Sequence, residues 1–407
     1  MRKLNFIYRY AASASLVLFL CAICLVASAK AQIAIKGETI WTMSGGAITN
    51  GVVLISKGKI EAVGSAAQVT IPAGYKVLSA KFVTPGLIDA HSVVGLNGYL
   101  NQPHDQMALD GSSPMQPELR AIDSYNAEER LIEWIRGFGV TTIHTGHQPS
   151  ALISGQTMIA KTVGRTVDEA TIVPFAMIAA TLGQDALAGP GKSPGTRAKE
   201  MSLFRAELIK AQENSKKAEP PKDLRSEAMM KLIRREVPLL ITAHKAQDIS
   251  NALRLAKEFN IRIVLDGASE APMLVEEIKA AGVSVIIHPT MARPGGDEES
   301  LSMESAAKLR AAGIPVALQS GYEGYVPKTR IVLFEAAMAA ANGLRREEAL
   351  AMITIDAAKI LGLDGRIGSL SVGKDADVAM YDGDPFEWTT HCIGTIIDGN
   401  VVSDVVR

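Results

Sequence analysis

The chain has 407 residues, of which 47% are hydrophobic and 21% are charged, so it can bury a large core and has room for two or three domains. Its 42 basic and 43 acidic residues nearly cancel, and this balance argues against a nucleic-acid-binding surface. A small, roughly neutral molecule is therefore the expected partner.

The N-terminal segment, residues 1–31, predicts a secretory signal peptide. Three basic residues precede an apolar run over residues 11–26, and small residues suited to signal cleavage follow at 27–31. An uncleaved membrane anchor is the alternative, although the run is shorter than the about 20 residues that span a bilayer. We expect a secreted or periplasmic mature chain that has no stable membrane partner.

The two ends of the mature chain share a pattern of short strands broken by turn-forming residues. Strands are expected at residues 40–43, 52–56, 59–63, 77–79, 376–381, 394–398 and 401–402. We predict that residues 32–80 and 363–407 together form a small β-sandwich domain.

The middle of the chain, residues 81–362, alternates apolar strands with helices. The strand candidates are residues 82–88, 140–144, 171–179, 238–243, 261–265, 283–287 and 314–318, and helical patterns include 126–137, 248–259 and 303–312. Alternation of this kind indicates an α/β fold with a parallel sheet, and continuous apolar strands indicate burial on both faces. Seven or eight such units favour a TIM-like (β/α)8 barrel.

Histidines lie where several of these strands end. The strand-terminal residues are His91, His144, His244 and His288, and His147 follows in the loop after the second strand. A single histidine at a strand end is usually structural, but active sites of barrels lie at the carboxyl ends of the strands, where these side chains would converge. Gathered imidazoles suit a divalent metal such as zinc, which turns a bound water into a nucleophile.

Residues 83–91, Val-Thr-Pro-Gly-Leu-Ile-Asp-Ala-His, resemble the first barrel strand of the amidohydrolase superfamily, in its imidazolonepropionase-like branch. Residues 139–142, 153–156, 242–244 and 367–377 are similar to the same branch, so the resemblance covers nearly all of the mature chain. It implies a metal-dependent hydrolase of amide or cyclic amide C–N bonds, built on a TIM-like barrel with a β-sandwich formed by both termini.

The metal ligands that the resemblance implies are mostly replaced. The expected positions hold Val93 in the first strand, Ala179 in the fourth, Gly267 in the sixth and Gly321 in the eighth. His91 and His244 match the family pattern, but two imidazoles do not complete a tetrahedral site. The binuclear centre of the family is therefore not expected.

Other polar residues near the strand ends suggest a rearranged site for one divalent metal, zinc being the expected ion. Its ligands would be His91, His144, His147 and His244. The candidate catalytic residues, as an added ligand or a base, are Asp266, Glu323 and Asp105, and the candidate substrate-binding residues are Gln156, His288 and Arg120.

Two functions stay open at this point. The first is hydrolysis of C–N bonds at the rearranged site. The second is non-catalytic binding of a small ligand in the barrel mouth, with the histidines hydrogen-bonded to the ligand or to the backbone. A homo-oligomer is compatible with either function.

Overall fold

The computed structural model describes residues 32–189, 191–322 and 331–407. The predicted signal peptide, its membrane-anchor alternative and Glu323 lie outside these residues. Within the described ranges, no helix combines the length and the apolar character needed to cross a membrane.

The described residues form strands and helices that alternate through the middle of the chain. The strands are β1 (Ile33–Ile40), β2 (Ile48–Ser56), β3 (Lys59–Ser65), β4 (Lys76–Pro85), β5 (Leu87–Ser92), β6 (Val140–Thr145), β7 (Ile153–Gln156), β8 (Met158–Lys161), β9 (Thr171–Val173), β10 (Ile178–Thr181), β11 (Leu239–Ala243), β12 (Ile263–Gly267), β13 (Ser284–Ile287), β14 (Val316–Ala317), β15 (Val378–Tyr381), β16 (Cys392–Ile397) and β17 (Asn400–Ser403). The α-helices are α1 (Arg130–Arg136), α2 (Val167–Ala170), α3 (Arg197–Ser215), α4 (Leu224–Ile233), α5 (Ala246–Phe259), α6 (Val275–Ala281), α7 (Ser305–Ala311), α8 (Val332–Ala341), α9 (Arg346–Met352) and α10 (Ile355–Ile360).

Strands from both ends of the chain form one seven-stranded sheet. Its order is β17-β16-β15-β4-β1-β2-β3, in which β1 and β4 are parallel and the other neighbours are antiparallel. The N-terminal and C-terminal strands meet where β4 pairs with β15. The two ends therefore associate as the sequence predicts.

The middle strands form a barrel. Strands β10 to β14 make one parallel ladder, and β5 pairs in parallel with β6. The amide of Ala90 in β5 donates to the carbonyl of Leu318, just after β14, which joins the two groups of strands on one side. On the other side, β7 and β8 pair antiparallel with β10 and β6. The predicted strand over residues 171–179 is divided into β9 and β10, since Pro174 between them lacks an amide donor.

The barrel strands are buried on both faces, as their apolar runs indicate. Ile88, Leu240, Val264 and Ile286, from four different strands, pack together in one core cluster. Leu239, on the other face of β11, belongs instead to the larger core that the surrounding helices cover. Burial on both faces leaves the ends of the strands as the places where polar side chains can act.

Candidate functional site

The carboxyl ends of the barrel strands bring buried polar side chains into one region. His91 lies in β5 and His144 in β6, with their ring centroids 5.8 Å apart. Asp266 lies in β12, and His244 and His288 directly follow β11 and β13. All five side chains are buried. This region is the barrel mouth, as the sequence predicts for the histidines.

A buried pair joins His91 to Asp266. His91 Nδ1 lies 3.0 Å from Asp266 Oδ1, and the two side chains are 1% and 0% exposed. The carboxylate also accepts hydrogen bonds from Thr242 Oγ1 at 2.6 Å and from Gln319 Nε2 at 2.9 Å. Asp266 is therefore fixed by three donors and fixes the imidazole in turn.

The two partners shift each other's protonation. Burial lowers the pKa of His91, but the charge and hydrogen bond of Asp266 outweigh burial and raise that pKa above its usual value. Burial likewise raises the pKa of Asp266, whereas the charge and hydrogen bond of His91 bring it below the usual range. The imidazolium–carboxylate form is thus favoured. His91 Nε2 makes no hydrogen bond to another described residue, which leaves this nitrogen able to exchange a proton with a bound molecule.

Both ring nitrogens of His144 are already used. Nδ1 lies 2.7 Å from the carbonyl oxygen of Ala90, and Nε2 lies 2.7 Å from Thr157 Oγ1. Burial and the charge of His91 lower the pKa of His144 to about 3, so the ring is neutral and donates from Nδ1 to the carbonyl. In this arrangement the hydroxyl of Thr157 occupies the ring lone pair that a metal would need, and the role of His144 as a metal ligand stays a prediction.

Two glycines make room for the rings of two other histidines. A Cβ at Gly155 would lie 2.4 Å from His147 Nε2, and a Cβ at Gly267 would lie 2.6 Å from His244 Cε1. Neither ring nitrogen of His147 bonds to a described residue, and burial lowers its pKa to about 4. Gly267 stands at the position where the family resemblance implies a histidine, and here the imidazole of His244 fills that space.

His244 and His288 are each anchored through one ring nitrogen. His244 Nδ1 lies 2.6 Å from Ser269 Oγ, and its Nε2 lies 3.3 Å from Glu298 Oε1. His288 Nδ1 donates to the carbonyl oxygen of Pro289 at 2.9 Å, and burial lowers the pKa of His288 to about 4. Its Nε2 makes no hydrogen bond to the described part of the chain. His288 therefore keeps a ring nitrogen that bonds to no described residue, whereas Nε2 of His244 lies beside Glu298.

The predicted zinc site is not assembled by these residues. Across residues 32–189, 191–322 and 331–407, no group of three or more His, Cys, Asp or Glu side chains is arranged to hold a metal ion. His144 is occupied by two hydrogen bonds, and Asp266 by three donors. The donor set of the described residues thus does not fit a closed metal centre, and the four-histidine zinc site stays a prediction from the sequence.

The remaining predicted site residues have partners of their own. Asp105 lies in a short turn, half exposed, with His104 at 3.4 Å. Gln156 is buried and donates from Nε2 to the carbonyl of Pro117 at 2.9 Å. Arg120 forms an exposed ion pair with Asp123. None of these contacts joins Asp105, Gln156 or Arg120 to the His91–Asp266 pair, and Glu323 lies outside the described residues.

Asp89 and Gln319 are site residues that the sequence reasoning missed. Asp89, two residues before His91, is buried and accepts a hydrogen bond from the amide of Ser320 at 3.0 Å. Burial raises the pKa of Asp89 to about 6. A carboxylate inside an apolar strand is a signal that could have found Asp89. Nothing in the sequence reveals that Gln319, which follows β14, bonds Asp266 in β12.

Comparisons with known proteins identify the relatives of this fold and site. A model described as the amidohydrolase family matches residues 93–403. The chain belongs to the amidohydrolase family. It is 24% identical to an imidazolonepropionase from Rhizorhabdus wittichii over 376 residues, which are 84% of this chain and 91% of that protein. The predicted membership of the superfamily and its imidazolonepropionase-like branch is thereby confirmed.

Solved structures of similar proteins carry the same fold. An amidohydrolase from Thermotoga maritima superposes with a TM-score of 0.87 at 26% identity, covering 92% of this chain and all of that one. An adenosine deaminase from Xanthomonas campestris, solved with bound zinc, superposes with a TM-score of 0.54 at 16% identity over 91% of this chain and 92% of that one. These likenesses confirm the predicted α/β fold, a TIM-like barrel with a β domain from both termini.

Proposed function

We propose that this protein hydrolyses carbon–nitrogen bonds of small molecules in the barrel mouth, with His91 and Asp266 as its acid–base pair. One observation carries the proposal: a buried imidazole is held by a buried carboxylate, and its Nε2 makes no hydrogen bond to a described residue, in a member of the amidohydrolase family. Names of similar proteins agree with this bond type, since they include an imidazolonepropionase, a prolidase and a Xaa-Pro dipeptidase.

The pair has the chemistry that hydrolysis of such a bond requires. Water adds to the carbon atom and the carbon–nitrogen bond breaks, so one proton leaves the water and one reaches the departing nitrogen. Asp266 holds His91 through Nδ1 and favours its imidazolium form, so Nε2 donates a proton to the departing nitrogen and the neutral ring that results accepts the proton that the water loses. Positioned acid–base catalysis of this kind contributes about 10²- to 10⁴-fold in rate.

The proposed chemistry uses no step through a metal, because the described residues do not fit one. The prediction of a bound zinc ion is tested by measuring the zinc content of the protein. Purified mature protein is dialysed in buffer with zinc, and bound metal is measured per chain. We expect less than about one zinc ion per ten chains. About one zinc ion per chain would contradict the conclusion that the described side chains do not form a metal site.

Non-catalytic binding of a small ligand in the barrel mouth is the second candidate. It is favoured by the hydrogen bonds that occupy His144 and Asp266 and by the glycines at positions 267 and 321, where the family resemblance implies metal ligands. Under this function, His91, His147 and His288 would contact the ligand through ring nitrogens that make no hydrogen bond to a described residue.

Turnover separates the two candidates. Mature protein is incubated with Xaa-Pro dipeptides, N-acyl amino acids and cyclic amides, and products are followed by mass spectrometry. We expect at least one class to be hydrolysed, with a loss of about 10²-fold or more in His91→Gln. His391→Gln, which changes an exposed histidine directly before β16, is the matched control and should retain activity. Saturable binding of a panel compound with no product would favour the second candidate.

The proposal also includes the location and the partner inferred from sequence. Residues 1–31 would direct export, so that the mature chain begins at residue 32 in a secreted or periplasmic compartment. N-terminal sequencing of the exported protein tests this, and a retained residue 1 would contradict it. The substrate would be a small molecule, and nucleic acid is not an expected partner.

A further inference from the structure

A second concave surface lies at the opposite pole of the barrel from the histidines. This groove, of about 930 Å³, is lined by the residues that precede or begin β11, β12 and β13. His244, Asp266 and His288 lie at the other ends of the same strands. A five-residue strand spans about 16 Å, so the groove is separate from the mouth. Its volume lies in the range of about 300–1,000 Å³ that is typical of small-molecule pockets.

The groove is strongly cationic, although the whole chain has a net charge of −1. Its basic lining residues are Arg235, Arg254, Lys257, Arg262 and Lys359. Glu277 is the only acidic residue among the described residues that line it. All six side chains are exposed. Lys359 pairs with Asp356 at 3.3 Å, so four cations that have no carboxylate partner among the described residues stand against one lining anion and produce a local positive field that would attract an anion.

Most of these cations lack a carboxylate partner in the described part of the chain. Arg254 and Lys257 project from α5 at positions i and i+3, where side chains are neighbours, and neither pairs with a described acid. Arg235 donates from Nη1 to the backbone and side-chain oxygens of Asn260 at 2.8 and 2.7 Å. Arg262 donates to a backbone carbonyl. The two guanidiniums are thus oriented while their charges remain uncompensated.

The floor between these cations is apolar. Leu253, Ile261, Val283 and Ile360 line it, and Ile261 and Val283 are buried. A ligand that matches this surface would place an apolar body on the floor and an oxyanion among the guanidinium and ammonium groups.

Capping of helix C-termini is a simpler role for some of these charges. Lys257 lies in the last turn of α5, where a cation complements the helix dipole. Arg235 and Arg262 lie outside the helices, however, and Arg254 is six residues before the C-cap Asn260. The dipole effect falls off within the last turn, so it does not account for the cluster.

We propose that this groove binds a small organic anion that has an oxyanion head and an apolar body. The site is independent of the proposed hydrolysis at the barrel mouth, and it would retain its ligand in a protein with an inactive mouth.

Titration of mature protein with octanoate tests the proposal. We expect saturable binding of one octanoate per chain by calorimetry, weakened about tenfold or more in Arg254→Gln/Lys257→Gln, as the loss of a charge-assisted hydrogen bond predicts. The matched control, Lys210→Gln/Lys279→Gln, removes the same charge from exposed helix positions outside the groove and should bind as the unaltered protein does. Thermal melting of both variants checks that they fold.

Several results would overturn the proposal. Failure of octanoate to bind saturably would do so, as would equal binding by the two double variants. If 1-octanol binds as tightly as octanoate, the charges do not contribute to binding. If inorganic phosphate binds as tightly as octanoate, the apolar floor does not contribute. Binding to phosphatidylglycerol vesicles without binding of free octanoate would make the groove a membrane-contact surface instead.

Discussion

Replacement of Lys161 by methionine should be one of the most destabilising single changes in this protein. Lys161 lies at the end of β8, and its side chain is 5% exposed. Nζ donates to Asp375 at 2.8 Å, to Asp377 at 3.1 Å and also to Asp398. The lysine thereby joins the barrel to three aspartates that precede or follow strands of the terminal sheet. Methionine keeps the approximate shape of the side chain but removes the charge.

The expected loss of unfolding free energy follows from the carboxylates that stay buried without the lysine. Asp375 retains Lys59 and Arg366, but Asp377, which is 4% exposed, has no other described cation partner. Removing one member of a buried ion pair costs about 3–5 kcal/mol of unfolding free energy. Lys59→Met is the matched control, since Lys59 is 51% exposed and contacts the same Asp375. Exposed pairs contribute about 0–1 kcal/mol.

The deficit should also depend on pH. Burial raises the pKa of Asp377 to about 6, although Lys161 lowers it. Without the lysine, this pKa rises further above its unfolded value of about 3.9. A folded carboxyl with a raised pKa binds more protons than the unfolded one, so stability falls as pH rises through the window between the two values. Lys161→Met should therefore lose more stability at pH 8 than at pH 5.

Urea unfolding followed by circular dichroism, at pH 5 and pH 8, measures both effects. We expect Lys161→Met to fall about 3–5 kcal/mol below the unaltered protein at pH 8, and Lys59→Met to fall by no more than about 1 kcal/mol. If the two variants differ by less than about 1 kcal/mol, or if the deficit of Lys161→Met is larger at pH 5, the reasoning fails.

Two further changes test the mouth through stability. Burial lowers the pKa of His288 to about 4, so this ring stays neutral in the folded state, whereas in the unfolded chain it takes up a proton below about pH 6.5. The unfolding free energy of the unaltered protein should therefore fall by about 2 kcal/mol between pH 7 and pH 5. His288→Gln should not show this loss. Urea unfolding at both pH values measures this, and identical pH dependence would contradict it. Gly267→Ala, at φ +72° with its Cβ 2.6 Å from His244, should lower unfolding free energy by about 1–3 kcal/mol more than Gly282→Ala, at φ +64° with open space around it. If urea unfolding shows that both substitutions lower the unfolding free energy equally, the ring of His244 moves away from the new Cβ without loss of stability, and the prediction is wrong.

The fold could largely be predicted because burial on both faces leaves a direct trace in the sequence. Barrel strands such as β11 and β12 are continuous apolar runs, and a polar residue ends the run where the strand reaches the mouth. His91, His244 and His288 were found in this way. The break between β9 and β10 was missed, although Pro174 marks it.

The site could be predicted only in part, because its contacts join residues far apart in sequence. His91 and Asp266 are 175 residues apart, and their contact depends on how the barrel closes. His144 has the same strand-end pattern as His91, yet the hydroxyl of Thr157 and the carbonyl of Ala90 occupy its ring. The pattern alone does not distinguish a structural histidine from a reactive one. Lys161 was missed for the same reason, since its aspartates lie more than 200 residues away.

The central claim is that Asp266 holds His91 as the acid–base group for hydrolysis. Its most direct test is kcat/KM of chelator-treated protein and of Asp266→Asn on a substrate found in the turnover panel. We expect the treated protein to retain activity and Asp266→Asn to lose about 10²- to 10⁴-fold, because the amide neither orients nor charges the imidazole in the same way. Turnover by Asp266→Asn at the unaltered rate would contradict the account.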